Sequence, residues 1–252
     1  MAVLTGKRRV WLTGATSGIG LALARHLLAE GHRVAISARR REALEELAEG
    51  HDNALVVPLD VTDRESVREA GRHIDEAFGG LELVIHNAGT CEYLDAEHFD
   101  IDLVERVFAA NFHGAIRVVD TALPLLRKSR DNDGNQPLLA AVSSSAAYLA
   151  LPRAEAYGAS KAALSYFLES LRLDLASERI DVSIVHPGFV KTPLTERNDF
   201  PMPMRVSAEF AAEAILKGLE KRALDIHFPK RFTLILRLLG ILPPTLRRHL
   251  GS

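Results

Sequence analysis

Short apolar runs alternate along the chain with longer stretches of helical period. The runs are rich in β-branched residues and are apolar nearly throughout, which is typical of strands buried on both faces of a parallel sheet. They cover residues 10–13, 33–37, 54–59, 83–86, 138–142 and 182–185. The amphipathic stretches between them lie near residues 19–30, 40–49, 63–78, 98–128, 153–177 and 207–222. Six successive strand–helix pairs predict an α/β fold with a doubly wound parallel sheet.

The alternation is not interrupted by a Pro- or Ser-rich linker, and the sequence contains no repeat. We therefore predict one domain over residues 1–252. Within it, 187–228 is expected to form the loop and helix that select the substrate, and 229–252 an apolar, basic, helical tail. Residues 129–137 are rich in turn-forming residues and predict a solvated turn before the fifth strand.

Composition narrows the class of protein. Of 252 residues, 47% are hydrophobic and 25% charged, as in an ordinary globular protein. The net charge of −2 provides no general attraction to nucleic acid. The single cysteine, Cys91, cannot form an internal disulfide, and the first residues lack an apolar stretch of signal-peptide length, so we expect a cytoplasmic protein. The ten histidines form no paired metal-binding motif, so no metal is expected.

A glycine-rich turn follows the first strand and opens the first helix. Glycines in such a turn let the backbone approach a diphosphate, and the helix offers its N–H groups to the anion. The spacing differs from the standard dinucleotide fingerprint, but the strand–turn–helix context favours dinucleotide binding. The expected contact residues are Gly14, Thr16, Ser17, Gly18, Ile19 and Gly20.

The end of the second strand indicates which dinucleotide is bound. A carboxylate there would accept hydrogen bonds from the adenosine ribose, whereas an arginine would bind a 2′-phosphate. Arg39 and Arg40 stand at this position, and the first carboxylate is Glu42. We therefore predict NADP(H), with NAD(H) as the alternative, and Arg39 as the main phosphate partner. Asp60 and Val61, after the third strand, are candidates for the adenine site, although Asp60 is equally suited to a turn or a helix cap.

Tyr157 and Lys161 are four residues apart, so on a helix they share one face. A phenol ionises near pH 10 and becomes an acid–base group at neutral pH only if a nearby positive charge stabilises the phenolate. Lys161 and an oxidised nicotinamide would supply that charge. A serine from residues 143–145 could hold a substrate oxygen against the phenol.

The glycine turn, Asn87-Ala88-Gly89, the serine run and Tyr157-x3-Lys161 stand in order over residues 8–192, and together they resemble the short-chain dehydrogenase/reductase family. The resemblance implies a Rossmann-type fold with a seven-stranded parallel sheet, no metal, and hydride transfer between a nicotinamide and a carbonyl or alcohol.

The resemblance also implies individual roles. Tyr157 is the expected acid/base, Lys161 binds the nicotinamide ribose, Ser144 orients the substrate, and Asn111 holds a water in the proton relay. Further cofactor contacts are expected from Asn87, Ala88, Gly89, Pro187, Gly188, Val190 and Thr192.

The predicted function is hydride transfer between NADP(H) and a hydrophobic ketone or secondary alcohol. The alternative is a dinucleotide-binding redox sensor or scaffold without turnover. Residues 229–252 carry five Lys/Arg and no Asp/Glu, leaving −7 for the rest of the chain. Arg231 and Arg237 do not form a clean polar face, so most of the tail helix is expected to be covered by its own core or by a second subunit in a homodimer or homotetramer. Weak contact with a membrane is the alternative.

Overall fold

The protein has a seven-stranded, fully parallel sheet, seen here in a computed structural model that describes residues 4, 6–133, 136–196 and 198–247. The strands are β1 Arg9–Thr13, β2 Arg33–Ser37, β3 Ala54–Val56, β4 Leu83–His86, β5 Leu138–Val142, β6 Asp181–Pro187 and β7 Asp225–Phe228. They lie side by side in the order β3-β2-β1-β4-β5-β6-β7. The predicted doubly wound, Rossmann-type α/β fold is confirmed.

Helices cover both faces of the sheet. They are α1 Gly18–Ala29, α2 Arg41–Ala48, α3 Arg64–Phe78, α4 Ile101–Phe108, α5 Gly114–Asp133, α6 Glu155–Leu175, α7 Ala208–Glu220, α8 Lys230–Gly240 and α9 Pro244–Arg247. A π-helical turn, Ala109–His113, joins α4 to α5. One apolar core lies between the sheet and α1, α2 and α7, and the other between the sheet and α3, α5 and α6. The near-continuous apolar strands follow from this burial on both faces.

Two strand predictions need correction. The third strand was expected over 54–59 and ends at Val56, because Pro58 has no N–H to continue the ladder. Val57 and Leu59 nevertheless donate to Ile36 and Ala38 carbonyls at 3.0 and 2.9 Å. The seventh strand was not found among the apolar runs, because the edge strand β7 has only four residues, alternately buried and half-exposed.

The predicted turn at 129–137 is wrong for its first part. Helix α5 continues through Asp133, and residues 134–135 lie outside the described residues. Ser129 is fully buried and accepts a hydrogen bond from Arg9 at 2.8 Å. Arg130 donates to the carbonyl oxygen of Glu178 at 3.1 Å. These contacts with distant residues hold a polar segment in a helix that its composition does not favour.

The sheet topology determines where ligands bind. The strand order reverses between β1 and β4, and a crevice opens there outside the carboxyl ends of the strands. The turns after β1, β4, β5 and β6 all meet at this edge. In the part of the chain that the structure describes, no helix is long and apolar enough to cross a membrane.

Candidate active site

The glycine-rich turn after β1 has a backbone that only glycine fits. Gly14 and Gly18 have φ angles of +69° and +50°. A Cβ on Gly20 would lie 2.0 Å from the carbonyl oxygen of Gly14. Asn87, after β4, donates from Nδ2 to that same oxygen at 3.1 Å. The turn is therefore closed on itself and tied to β4.

Thr13, the last residue of β1, is a positioning residue that the sequence analysis did not single out. Its Oγ1 accepts hydrogen bonds from the backbone N–H groups of Asn87 and Ala88 at 3.1 and 3.2 Å. It also lies 3.1 Å from Nδ1 of His86, whose pKa is lowered by burial to about 3. Thr13 thus joins the β1 and β4 turns directly, and it also contacts the neutral ring of His86. In the sequence, only its position at the end of the first strand marks Thr13 as a candidate for this role.

A cleft of about 380 Å³ runs along the carboxyl edge of the sheet. Helix α1 points its N-terminus toward it, and the side chain of the N-cap residue Ser17 makes no capping hydrogen bond. The first N–H groups of α1 are therefore available to an anion. Of the predicted cofactor and catalytic residues, the cleft is lined by Gly14, Ser17, Gly18, Ile19, Arg39, Asn87, Ala88, Gly89, Ser144, Tyr157, Lys161, Pro187, Gly188, Val190 and Thr192.

The other predicted residues lie outside this lining: Thr16, Gly20, Arg40, Asp60, Val61 and Asn111. Arg40 is exposed at the N-cap of α2. Asp60 accepts from the N–H and the hydroxyl of Thr62 at 2.8 and 2.7 Å, which is the turn role that the sequence left open. Val61 is buried, and a Cβ on Gly114 would lie 2.9 Å from its side chain.

Tyr157 and Lys161 share one face of α6, next to the serine run that follows β5. Lys161 is almost fully buried, donates from Nζ to the carbonyl of Val142 at 2.8 Å, and lies 6.0 Å from the centroid of the Tyr157 ring. Ser144 lines the same cleft as Tyr157, and its Oγ accepts from the N–H of Ala146 at 3.1 Å. The structure thus brings together Tyr157 and Lys161, which the spacing placed on one helix face, and Ser144, which the family resemblance implied.

Burial determines the protonation states of Tyr157 and Lys161. It raises the pKa of Tyr157 well above its usual value, and Ser144 opposes that change only in part. It lowers the pKa of Lys161 to about 8. The protein's own groups therefore keep Tyr157 as a neutral phenol, the form that donates a hydrogen bond. Phenolate formation would need further positive charge at the site.

Asn111 lies in the π-helical turn between α4 and α5 and is fully buried. Its Nδ2 donates to the carbonyl of Thr90 at 2.9 Å and to Oγ of Ser160 at 3.0 Å. Its Oδ1 accepts from the N–H of Thr90 at 2.8 Å. A Cβ on Gly89 would lie 2.8 Å from this Oδ1 and 3.4 Å from Nζ of Lys161. Asn111 and Lys161 therefore face the same small space above Gly89.

A second cavity, of about 410 Å³, opens on the other side of Ser144 and Tyr157. It shares these two residues, together with Gly188, Leu194 and Thr195, with the first cleft. Its remaining lining is largely apolar and aromatic and includes Tyr93, Phe189, Phe200, Phe232 and Leu236. Tyr93 and Phe189 were not predicted as site residues, because they belong to no periodic pattern in the sequence.

Cys91 and Tyr93 are two of the polar residues in this cavity. Burial raises the pKa of both side chains. Across the cavity from α6, Phe200 packs edge-on against Tyr93 with ring centroids 5.3 Å apart. Arg153 pairs with Asp199 at 2.9 Å, and residues of the segment after Gly188 line the cavity. In the described part of the chain no cluster of three metal-ligating side chains occurs.

Helix α8 covers the second cavity with one face and exposes the other. Phe232 and Leu236 line the cavity. Leu238 and Ile241 are 63% and 80% exposed, and Leu234 and Ile235 are exposed as well. The chain's own core therefore covers one face of this helix, and cover of the other face by a second subunit stays a prediction. Residues 248–252 of the tail lie outside the described residues.

Comparison with known proteins agrees with this geometry. The family profile described as short chain dehydrogenase matches residues 8–201. An uncharacterized oxidoreductase of Myxococcus xanthus is 36% identical over 94% of this chain and 93% of its own. The 11-beta-hydroxysteroid dehydrogenase 1A of Arabidopsis thaliana is 36% identical over 88% of this chain and 68% of its own. A short chain dehydrogenase of Burkholderia cenocepacia, solved in complex with NADP, is 26% identical, covers all of both chains and superposes with a TM-score of 0.84.

The chain belongs to the short-chain dehydrogenase family. It is an oxidoreductase of this family, whose members use a nicotinamide dinucleotide and act on small molecules.

Proposed function

We propose that this protein transfers hydride between NADP(H) and the carbonyl or alcohol carbon of a hydrophobic ketone or secondary alcohol. The observation that carries the proposal is the meeting of two cavities at Ser144 and Tyr157. One is a polar cleft with a helix N-terminus for a diphosphate, and the other is apolar. Hydride transfer needs this arrangement, because two molecules must meet at one acid–base group.

The choice of NADP(H) rests on Arg39. It lines the cleft just beyond the end of β2, and the cleft lining contains no carboxylate. A guanidinium group binds a 2′-phosphate with two hydrogen bonds, whereas the ribose hydroxyls of NAD(H) offer it no charge. The NADP complex of the Burkholderia relative supports the same choice.

The reaction follows from the positions of the side chains. The bound dinucleotide supplies the hydride. Ser144 and Tyr157 donate hydrogen bonds to the substrate oxygen and stabilise the negative charge that develops there. Tyr157 then gives its proton to that oxygen. Lys161, next to Tyr157, holds the nicotinamide ribose and replaces the proton with the help of water in the space that Asn111 faces.

The substrate is proposed to be apolar because the second cavity offers mostly carbon surface. Aromatic walls and the polar pair Cys91 and Tyr93 near the reacting end suit a ring ketone better than a phosphorylated or highly charged compound. The relative named as an 11-beta-hydroxysteroid dehydrogenase supports a bulky, ring-containing substrate.

The test is oxidation of NADPH in the presence of ketones, aldehydes and quinones, with NADH as the comparison. We expect NADPH-dependent reduction of apolar ring ketones. Tight NADPH binding without turnover of any compound would favour the alternative, a dinucleotide-binding sensor or scaffold.

The NADP(H) preference has its own test. Replacing Arg39 by Ala should raise the Kd of NADPH about 10- to 100-fold, the loss of about 1.5–3 kcal/mol from charge-assisted hydrogen bonds, with little change for NADH. Arg41→Ala is the matched control, since Arg41 pairs with Glu45 on the exposed side of α2. Equal losses for NADPH and NADH would refute the assignment.

We also propose that the protein is a cytoplasmic homo-oligomer in which a second copy covers the exposed face of α8. Four large apolar side chains on one helix face are more than a monomer usually exposes together. Contact of this face with a membrane is the competing outcome, favoured by the exposed Lys230 and Arg231.

A further inference from the structure

Two polar side chains connect the tail helix α8 to β7: Thr233, whose Oγ1 lies 2.7 Å from Nδ1 of His227, and the charged side chain of Arg237. Its Nη2 donates to the hydroxyl of Tyr148 at 2.6 Å and forms an ion pair with Oδ2 of Asp225. The guanidinium carbon lies 4.4 Å from the centroid of the Tyr148 ring. Arg237 and Asp225 are both about two-thirds buried, so the pair is partly shielded from solvent.

Helix α8, which carries Arg237, also forms part of the wall of the apolar cavity, through Phe232 and Leu236. Phe232 packs against Phe189 with ring centroids 5.3 Å apart, and a Cβ on Gly188 would lie 2.7 Å from its ring. At the other end of the helix, a Cβ on Gly240 would lie 2.1 Å from the carbonyl oxygen of Tyr148. The helix is in close contact at both ends, so a small displacement of α8 would move Phe232 and Leu236 relative to the reacting groups.

Asp225 also connects Arg237 to a buried chain of hydrogen bonds that reaches the catalytic helix. Its second oxygen, Oδ1, lies 2.8 Å from Nδ1 of His186. Burial lowers the pKa of His186 to about 3, so the neutral ring donates from Nδ1 and accepts at Nε2 from Ser165, 3.0 Å away. Ser165 lies on α6, so the chain reaches the catalytic helix there. The single hydroxyl proton of Ser165 is used in the bond to His186, and that of Ser143, whose Oγ lies 2.8 Å away, is used in a bond to the carbonyl of Lys161 at 2.9 Å. The Asp225 carboxylate is therefore held by Arg237 at Oδ2 and by His186 at Oδ1.

We propose that Arg237 and Asp225 form a latch that fixes α8 as the wall of the substrate cavity and thereby determines which substrates the enzyme accepts. Arg237 is then a positioning residue that acts through Phe232 and Leu236. The proposal rests on the proposed function. Bulky apolar substrates would lose their contacts with the wall when the latch is broken. Small carbonyl compounds, which need only Ser144 and Tyr157, would not.

The test compares Arg237→Gln, Arg237→Lys and Asp225→Asn with the wild type. Arg231→Gln is the matched control, an exposed arginine on the same helix. The probes are butane-2,3-dione, which is small, and trans-1-decalone, which is a bulky apolar ketone, each with NADPH. Breaking the latch should raise the KM for decalone about tenfold and change its kcat by less than about twofold, while dione kinetics and the Kd of NADPH stay the same.

Two further comparisons distinguish loss of the latch from nonspecific destabilisation of the protein. Arg237→Lys keeps the charge without the planar fork and should recover part of the lost affinity for decalone. The double variant Arg237→Gln with Asp225→Asn should be no worse than either single variant. Equal KM increases for both probes, no increase for decalone, or additive losses in the double variant would each overturn the proposal.

Hydrogen exchange gives a readout that needs no substrate. Amides of residues 234–240 should exchange about tenfold faster in Arg237→Gln and Asp225→Asn than in the wild type or Arg231→Gln, with α7 unchanged. Unchanged exchange in α8 would overturn the latch even if the enzyme is active. A wild type that reduces neither probe but shows the exchange difference would refute the proposed function and leave the latch standing. If Arg237→Gln fails to fold, Asp225→Asn and Arg237→Lys decide the question.

Discussion

Replacing Asn111 by Ala removes three hydrogen bonds from a fully buried position. These are the bonds to the N–H and C=O of Thr90, at 2.8 and 2.9 Å, and to Oγ of Ser160 at 3.0 Å. With a net contribution of about 1 kcal/mol for each bond, the free energy of unfolding should fall by about 3 kcal/mol. For a domain of this size the Tm should then fall by about 6–12 °C.

The same substitution should also slow the reaction. Both Nδ2 hydrogens of Asn111 are engaged, but Oδ1 keeps one lone pair, and it faces the space above Gly89 that Nζ of Lys161 also approaches. A water held there would carry the proton that replaces the one Tyr157 gives to the substrate oxygen. We therefore expect kcat to fall about 100-fold, within the range for a lost proton-transfer step.

Asn53→Ala is the matched control. Asn53 donates from Nδ2 to the carbonyls of Leu28 and His32 at 2.9 and 2.7 Å, and it does not line either cavity of the active site. The Asn53→Ala variant should be less stable than the wild type but have the same kcat. Equilibrium urea unfolding gives the stabilities, and initial rates are measured well below both transitions. A kcat in Asn111→Ala no lower than in Asn53→Ala would refute the relay, and a stability loss below about 1 kcal/mol would refute the hydrogen-bond argument.

Three further outcomes are expected. Tyr157→Phe should abolish turnover and leave the Kd of NADPH within about twofold, by calorimetry, because the phenol meets the substrate oxygen; near-full turnover would exclude Tyr157 as the acid. Burial lowers the pKa of Lys161 to about 8, so the reduction rate should fall as pH rises through about 8 and the ammonium is lost; a flat profile to pH 10 would contradict the role of that charge. Leu238→Glu, on the exposed face of α8, should dissociate the oligomer in sedimentation equilibrium; an unchanged mass together with lost liposome binding would favour the membrane instead.

Much of the first cleft was predictable because its signals are local in sequence. The glycine turn must stand between a strand and a helix, and φ angles of +69° and +50° explain the glycines at 14 and 18. Tyr157 and Lys161 meet because four residues make about one helical turn. The family resemblance added Ser144 and Asn111, whose roles no local pattern shows.

The tertiary structure decided the rest. The second cavity takes its walls from the segments 91–93, 144–157, 188–195, 198–201 and 232–236, which have no common period and meet only when β4, β5 and β6 end at one edge of the sheet. The tail sequence is apolar on nearly every side, so it could not tell which face would be buried. In the folded protein Arg237 pairs with Asp225, and this contact orients the helix. Asp225 belongs to an edge strand that the apolar pattern did not reveal. The sequence by itself determined the fold class and the reacting groups, because these depend on neighbours along the chain. Only the tertiary structure determined the substrate cavity, because its shape depends on contacts between residues that are far apart in the chain.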